Sequence, residues 1–232
     1  TGLNDTIISA NAANTINGGA GTDTISYVNS ALGVTVDLNV TTSQISTGDA
    51  TGDVLTNFEN LTGSGQADTL RGTSTVNTIL GGAGDDVIEG RGGADVLNGG
   101  DGLDTASYQN SAAGVTVSLL LATAQGGAGD GTGDVLTNFE NLAGSLQADT
   151  LTGNDAVNTI LGSDGNDVLD GRDGGDTIEI GIGGGFGIGE DELRIEDVEA
   201  LVLHSAGVEI GDRDDVELVE VIFAAIDTLV PG

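Results

Sequence analysis

Asp and Asn side chains recur at nine-residue intervals along most of this chain, and an aliphatic residue or Ala follows two positions after each of them. The acids in this register are Asp5, Asp23, Asp68, Asp86, Asp95, Asp104, Asp149, Asp167 and Asp176. Asn14, Asn77 and Asn158 fill the same register with a neutral amide oxygen. Calcium accepts about six to eight such hard oxygen ligands in irregular geometry. A hard divalent cation such as calcium could therefore neutralise these regularly spaced carboxylates.

Glycines precede many of these acids, as in Gly81-Gly82-Ala83-Gly84-Asp85-Asp86. Glycine adopts backbone conformations with positive φ that residues carrying a Cβ resist. A nine-residue period is too short for a pair of helices and fits one tight turn followed by one very short strand. The glycines that we expect to shape the metal loops include Gly81, Gly84, Gly99 and Gly162.

One nine-residue unit, called a row below, buries too little apolar surface to fold alone. Ordering nine backbones costs more free energy than one buried aliphatic side chain returns. Carboxylates stacked on neighbouring rows also repel one another. A bound calcium ion would offset both effects.

The pattern Gly-Gly-x-Gly-x-Asp-x-aliphatic-x resembles the RTX nonapeptide, the calcium-binding β-helix repeat of secreted bacterial haemolysin-type, surface-layer and adhesin proteins. The resemblance implies an all-β, right-handed parallel β-roll or β-helix in which two rows form one coil of about eighteen residues. It also implies that the sixth-position Asp binds calcium together with loop carbonyls of the same and the next coil.

The same resemblance implies how the acids are arranged on the roll. Asp68, Asp86 and Asp104 line one edge opposite Asn77 and Asp95; Asp149 and Asp167 lie opposite Asn158 and Asp176; and Asp5 pairs with Asp23. The loops nearest to the consensus are 18–23, 81–86, 99–104 and 162–167, whereas 90–95 and 171–176 shift or lose a glycine. The two rows of Asn77 and Asn158 lack the glycine pair and are expected to hold shape without a full-affinity ion.

A longer repeat overlies the rows, because residues 18–90 align with 99–171 without a gap. Both copies contain a spacer with Gly-Val-Thr-Val and Gly-Asp-Val-Leu-Thr-Asn-Phe-Glu-Asn-Leu. Alternation of Val34, Val36 and Leu38 predicts a strand with one buried face. Phe58 and Phe139 are expected to fill the core of wider coils.

Composition excludes several classes of function. The chain has 37 acidic and five basic residues and a net charge of −32, which argues against nucleic acid and anionic membranes as partners. It has no Cys, hence no disulfide or thiol chemistry. No apolar run is long enough for a transmembrane helix. The chain opens at Thr1 without a signal-peptide pattern, so we expect a processed product or a fragment.

No catalytic constellation emerges from the sequence, so we expect a protein that is not an enzyme. The chain lacks Lys, and its single His, His204, adjoins Ser205 in a predicted strand, where adjacent side chains point to opposite faces. Asp85 and Asp86 could imitate a glycosidase pair. In so acidic a chain, calcium binding or solvation explains such a pair better.

The composition changes near residue 177, which divides the chain into a repeat domain, 1–180, and a terminal segment, 181–232. A glycine-rich junction at 181–189 precedes stretches typical of strands, from Leu193 to Ile210. The last stretch, Val216 to Val230, fits a strand or a helix. This segment could cap the roll, dock on a neighbouring molecule or carry an export signal.

The leading hypothesis is a calcium-dependent extracellular structural protein, bacterial and type I secreted, that assembles with itself into a surface layer, matrix fibre or adhesin. A cell-surface glycan or lipopolysaccharide could contact it. The alternative is the calcium-folding export module of a secreted protease, lipase or epimerase. An ice-binding solenoid ranks third, because Val87 and Val96 interrupt the outward Thr residues.

Overall fold

Very short strands make up the fold of a computed structural model that describes residues 2–11 and 13–179 in full. Beyond them it describes the backbones of residue 180 and of 192–194, 198–203 and 208–211. One 3-10 turn, Gly48–Ala50, is the only helical element in that part of the chain. Nearly all strand pairs run parallel. The expected all-β parallel roll is confirmed.

The strands are β1 (Thr6–Ile8), β2 (Thr15–Asn17), β3 (Thr24–Ser26), β4 (Thr35–Asp37), β5 (Val54–Thr56), β6 (Asn60–Thr62), β7 (Thr69–Arg71), β8 (Thr78–Ala83), β9 (Val87–Glu89), β10 (Val96–Asp101), β11 (Thr105–Ser107), β12 (Thr116–Ser118), β13 (Val135–Thr137), β14 (Asn141–Ala143), β15 (Thr150–Thr152), β16 (Thr159–Ser163), β17 (Val168–Asp170), β18 (Asp176–Ile180), β19 (Glu192–Arg194), β20 (Val198–Leu203) and β21 (Val208–Gly211). Most contain three residues, of which the middle one points into the core. Alternation of side chains across a strand explains this pattern.

Rows stack at a spacing of two rows per coil. Thr69 pairs with Val87 and Val87 with Thr105, each eighteen residues further along the chain. Ile79 likewise pairs with Leu97 on the other side of the roll. The aliphatic residues at the eighth position therefore form continuous columns inside the roll.

The coil widens at each of the two spacers, which we define as residues 27–62 and 108–143. Ile25 pairs with Leu61 across the first spacer, and Ala106 pairs with Leu142 across the second, so the period there is 36 residues. Three strands lie in each spacer: β4, β5 and β6 in the first, and β12, β13 and β14 in the second.

Each spacer replaces one sheet of the roll by another. The sheet of β2 and β5 ends at the first spacer, and β4 starts a new nine-stranded sheet that runs to β21. The six-stranded sheet β1-β3-β6-β8-β10-β13 ends at the second spacer, where β12 starts the sheet β12-β15-β17-β19. The spacers are thus the points at which one column of strands ends and the next begins.

The core is one continuous cluster along the roll. The expected inward positions are confirmed, because Val34, Val36, Phe58 and Phe139 are buried. Tyr27 and Tyr108 are also fully buried, and each belongs to a spacer. Aromatic rings therefore fill the wide coils, whereas aliphatic side chains alone fill the narrow ones.

Strands continue beyond residue 180, as the sequence predicts. β19 pairs with β17, β20 pairs with β18, and β21 turns back antiparallel on β20. The predictions for residues 181–189, Ile195, His204 and Val216 to Val230 lie outside the described residues. In the part that the structure describes, no helix is long and apolar enough to span a bilayer.

Candidate metal centres

Eight of the nine predicted acidic ligands are buried. Asp23, Asp68, Asp86, Asp95, Asp104, Asp149, Asp167 and Asp176 are each at most 3% exposed, and Asp5 in the first coil is partly buried. Burial of an ionised carboxylate is costly unless hydrogen bonds or a cation compensate for the lost water. The partners of both oxygens of each carboxylate therefore decide what it can do.

One oxygen of each buried carboxylate accepts a hydrogen bond from a backbone N–H of the preceding coil. Asp86 Oδ1 accepts a hydrogen bond from the N–H of Asp68 at 2.8 Å, and Asp104 Oδ1 accepts one from the N–H of Asp86 at 2.8 Å. Asp23 makes the same bond to the N–H of Asp5. The three acids Asp68, Asp86 and Asp104 therefore form a ladder along one side of the roll.

The other oxygen has no hydrogen-bond partner in several of these rows. The atoms concerned in the described residues include Oδ2 of Asp23, Asp86, Asp95 and Asp104, all of which are buried. A buried carboxylate oxygen without a donor is rare in folded proteins. It marks a place where a ligand outside the protein chain belongs.

A glycine shapes the space in front of this second oxygen. A Cβ built on Gly81 would collide with Asp86 Oδ2 and with the carbonyl oxygen of Gly99 from the next coil. Gly99 likewise lies against Asp104 Oδ2 and the carbonyl oxygen of Asn138, and Gly162 lies against Asp167 Oδ2. These first glycines let the backbone contact the carboxylate and, at Gly81 and Gly99, a carbonyl oxygen of the next coil; we call the place where these oxygens meet the pocket.

Glycines later in the loops are needed for a different reason, namely their backbone conformation and close contact with the neighbouring loop. Gly84 has a φ of 106° and lies against the backbone of Gln66 and Ala67 in the coil before. A side chain there would meet both a disfavoured conformation and a neighbouring loop. Arg91 (φ 65°) and Arg172 (φ 69°) occupy left-handed positions in the loops that depart from the consensus. Those loops thus retain left-handed turns.

The pocket suits a hard cation. It offers a buried anionic oxygen from Asp86 and a carbonyl oxygen from Gly99, and calcium takes both types of ligand. No group of three acidic or His side chains that could hold a metal occurs among the described residues. One carboxylate per loop, completed by backbone carbonyls, agrees with that observation.

The first row after each spacer differs from this arrangement. Both oxygens of Asp68 accept hydrogen bonds, from Ser64 and from the N–H of Val34. Asp149 is bonded in the same way to Ser145 and Val115. Protein donors thus satisfy two of the predicted calcium ligands.

Asn77 and Asn158 contact the preceding coil through the amide nitrogen and carry no charge. Asn77 Oδ1 accepts the N–H of Thr73, and its Nδ2 donates to the carbonyl of Glu59 at 2.6 Å. Asn158 repeats the second bond with the carbonyl of Glu140 at 2.7 Å. An amide N–H thus meets a carbonyl oxygen of the preceding coil, which agrees with the expectation that these rows hold shape.

A comparison with protein families identifies the repeat. A family model described as the RTX calcium-binding nonapeptide repeat matches residues 1–27, 71–106 and 141–184. The chain belongs to the RTX repeat family. RTX rows bind calcium ions and are typical of secreted bacterial proteins. No curated protein matches the chain.

The stretches of this RTX protein between the matched ones, 28–70 and 107–140, contain most of the two spacers. The matched stretches contain Asp23, Asp86, Asp95 and Asp104, each of which has a buried oxygen without a hydrogen bond. They also contain Asp149, whose oxygens are both satisfied.

Burial perturbs the carboxylates of the RTX rows. Loss of water raises the pKa of Asp86 to about 7, and the negative charges of Asp68 and Asp104 act in the same direction. The hydrogen bond from the N–H of Asp68 lowers this pKa but does not cancel the rise. Burial also raises the pKa of Asp95 to about 7. A cation beside these carboxylates would favour their ionised form.

Asp167 and Asp176 continue the ladder in the second RTX array. Asp167 Oδ1 accepts the N–H of Asp149 at 2.9 Å, and Asp176 Oδ1 accepts the N–H of Asn158 at 2.8 Å. Glycines five positions earlier, Gly162 and Gly171, lie beside their Oδ2 atoms. Their surroundings match those of Asp86 and Asp95.

Sequence analysis missed four acids that extend the ladder across the spacers. Asp134 Oδ1 accepts the N–H of Asp95, and Glu140 accepts the N–H of Asp104. Asp53 and Glu59 do the same for Asn14 and Asp23. Their signal was present, because each is followed two positions later by Leu, but they fall outside the nine-residue register.

Proposed function

We propose that this RTX protein is an extracellular structural protein that folds on calcium after secretion and assembles with copies of itself into a surface layer, matrix fibre or adhesin. The observation that carries the proposal is that stacked coils occupy essentially all of residues 2–180. The described part of the chain has no group of three or more acidic or His side chains that could hold a metal, so the loops with one carboxylate each are its candidate calcium sites.

Folding and metal binding are coupled by the origin of the ligands. Bound calcium supplies positive charge to the buried carboxylates. Asp86 Oδ2 and the carbonyl of Gly99 would hold it, and these two groups belong to different coils. Asp86 Oδ1 joins a third coil through the N–H of Asp68. Because a complete site exists only when coils are stacked, the binding free energy contributes to folding.

Secretion before folding follows from the same coupling. A chain with a net charge of −32 repels itself when its carboxylates lack counterions. Extracellular calcium modules have dissociation constants of about 10⁻⁴ to 10⁻³ M, well above cytosolic calcium. The RTX rows would thus stay open inside the cell and close outside it.

Open strand edges support assembly. Within the described residues, β1 pairs on one side with β3, and β2 pairs on one side with β5. Ile7 and Ile16 in these strands are only partly buried against the core. Unpaired edges of this kind are templates for another strand. A neighbouring copy that adds a coil there would cover both the edge and the two side chains.

Circular dichroism combined with light scattering tests the proposal. Calcium would be titrated from excess chelator to about 10 mM, with magnesium as the control ion. We expect β-structure and large assemblies to appear together with calcium alone. A chain that folds and remains monomeric would contradict the assembly role. That result would favour the alternative, an export module of a secreted enzyme.

A further inference from the structure

Each spacer supplies its own donors where the RTX rows leave an oxygen open. The hydroxyl of Tyr27 donates to Asp53 Oδ2 at 3.0 Å, and the hydroxyl of Tyr108 donates to Asp134 Oδ2 at 3.1 Å. Asp134 follows Asp95 in the ladder, and the corresponding oxygen of Asp95 is buried without a partner. A phenol hydroxyl therefore satisfies the oxygen that a cation would satisfy in a row.

Two further kinds of protein donor take the place of a cation near the spacers. Ser64 donates its N–H and its hydroxyl to Asp68, and Ser145 does the same for Asp149. The amide of Asn77 reaches the carbonyl of Glu59 across the boundary of the first spacer. Inside the spacers, no buried side-chain oxygen or nitrogen of the described residues lacks a hydrogen bond.

The spacers also bury more apolar side chains than the rows. Residues 27–62 contribute eight to the core: Tyr27, Val34, Val36, Leu38, Ala50, Leu55, Phe58 and Leu61. The longer stretch 63–106 contributes five: Leu70, Ile79, Ile88, Leu97 and Ala106. Because hydrophobic stabilisation scales with buried apolar area, the wide coils depend less on metal than the narrow ones.

Buried Gln side chains also form hydrogen bonds to the backbone within each spacer. Gln44 is buried and bonds through its amide to the backbone of Asp37 and Val40. Gln125 repeats the bonds to the backbone of Ser118 in the second spacer. The end of each wide coil is closed by the backbone, as in the bond from Tyr27 N–H to the carbonyl of Thr62.

We propose that the two spacers are calcium-independent folding units, which form their wide coils with protein hydrogen bonds alone and present strands on which the calcium rows then stack. In the first spacer, β4 pairs with β7 and β6 pairs with β8. In the second spacer, β12 pairs with β15 and β14 pairs with β16. Each calcium array downstream of a spacer thus begins on a preformed edge. The inference concerns folding without calcium and does not depend on the assembly role proposed above.

Hydrogen–deuterium exchange of the full chain in chelator and in calcium tests this inference. In chelator, we expect amides of 27–62 and 108–143 to exchange at least about tenfold more slowly than those of 81–106, as for separate cooperative units. Calcium is expected to slow exchange mainly in 81–106. Equal exchange of spacers and rows in chelator would overturn the proposal, whatever the oligomeric state in calcium.

A double variant, Tyr27→Phe with Tyr108→Phe, removes the two hydroxyl donors and keeps the rings. We expect the slow exchange of the spacers in chelator to fall to the level of the rows, without loss of bound calcium ions by equilibrium dialysis. Unchanged spacer exchange in chelator would refute the role of the hydroxyls and with it the proposal.

Asn77→Asp tests the second kind of donor. The variant removes the amide that bonds to the Glu59 carbonyl, so we expect protection of the first spacer to become calcium-dependent. Asn39→Asp makes the same charge change at an exposed spacer position and is expected to leave exchange in chelator unaltered. Loss of protection in both variants, or in neither, would count against protein donors as the closure of the spacer.

Discussion

At the scale of single residues, the two oxygens of each row Asp have separate roles. In Asp86, Oδ1 fixes the preceding coil through a backbone N–H, and Oδ2 faces the pocket beside Gly81. Asn77 differs in both atoms, because its oxygen accepts the N–H of Thr73 in its own loop and its nitrogen donates to the carbonyl of Glu59 in the preceding coil. Charge at the second oxygen therefore distinguishes a metal row from a row that only maintains the stack.

Asp86→Asn isolates that charge. The amide can keep the bond to the N–H of Asp68 but loses the anionic ligand, so we expect the calcium concentration at half-folding to rise about fivefold or more, equivalent to at least about 1 kcal/mol for one ion. Asp101→Asn makes the same change at an exposed carboxylate. Calcium titrations followed by circular dichroism would compare them; equal shifts would refute the ligand role of Asp86.

Gly81→Ala tests the pocket rather than the ligand. Its Cβ would fall on Asp86 Oδ2 and the Gly99 carbonyl, so we expect loss of at least one bound calcium ion and weaker calcium-induced folding. Gly65→Ala is the matched control, because a Cβ there meets no atom within 4 Å. Isothermal calorimetry would measure the number of ions. The pocket assignment fails if both variants bind as many ions as the parent chain.

The calcium concentration needed for folding should depend on pH. The pKa of Asp86 and of Asp95 is about 7 in the folded chain, above the value of about 3.9 for an unfolded Asp. The folded, metal-free chain therefore binds extra protons, and its stability falls as the pH rises from about 4 to about 7. Protons thus favour the folded chain in place of calcium, whereas the unfolded Asp residues are already ionised, so the calcium concentration at half-folding should rise between about pH 6 and about pH 8. Titrations at both pH values and constant ionic strength would check this, and an unchanged midpoint would contradict it.

At the scale of elements, a three-residue strand is stable only as part of a column. Leu97 in β10 pairs with Ile79 on one side and with Leu136 on the other, and all three are buried. Leu136 belongs to the second spacer, so this column joins a calcium row to a wide coil. At each spacer one sheet ends and another begins, and this arrangement links arrays that would otherwise be separate stacks.

Leu97→Ala should destabilise this junction. Removal of a fully buried Leu side chain costs about 2–5 kcal/mol, with the size set by how far the coil can collapse. Val96→Ala, at the exposed neighbour in the same strand, is expected to cost far less. Urea unfolding in saturating calcium would measure both free energies of unfolding. Comparable losses would show that the column is not the source of the stability.

At the scale of the whole molecule, charge and topology act together. The chain combines a net charge of −32 with a core that runs the length of the described roll. Parallel coils bring carboxylates of successive coils close together, which is unfavourable until cations bind. Calcium should therefore control the compactness of the entire RTX region.

The terminal segment belongs to the same scale. We expect a chain ending at residue 180 to keep its calcium rows but to lose solubility or regular assembly, because the edges of β17 and β18 that β19 and β20 cover would be exposed. Light scattering after size-exclusion chromatography in calcium would measure the assembly. An oligomeric state equal to that of the full chain would remove the docking role from residues 181–232.

The sequence by itself determined the nine-residue rows and their inward aliphatic positions, because a fixed local period places the same residue type at the same point of every row. The coil of two rows, in which residues eighteen apart meet, was implied by the resemblance to the RTX repeat and is present in the fold. The equivalent places of Phe58 and Phe139 in the two copies of the longer repeat predicted their burial. Burial of Asp86 and Asp104 also follows, since they lie two positions before an inward residue in the same short turn and strand.

Only the tertiary structure decided which oxygens remain open. Ser64 and Val34 satisfy Asp68 because the wide coil brings residue 34 beside residue 68, and no constant period encodes that contact. The places of Asp53 and Glu59 in the ladder likewise depend on the path of the spacer loop. Row spacing is a local property of the sequence, whereas the donors that reach a buried carboxylate depend on how coils of unequal length stack.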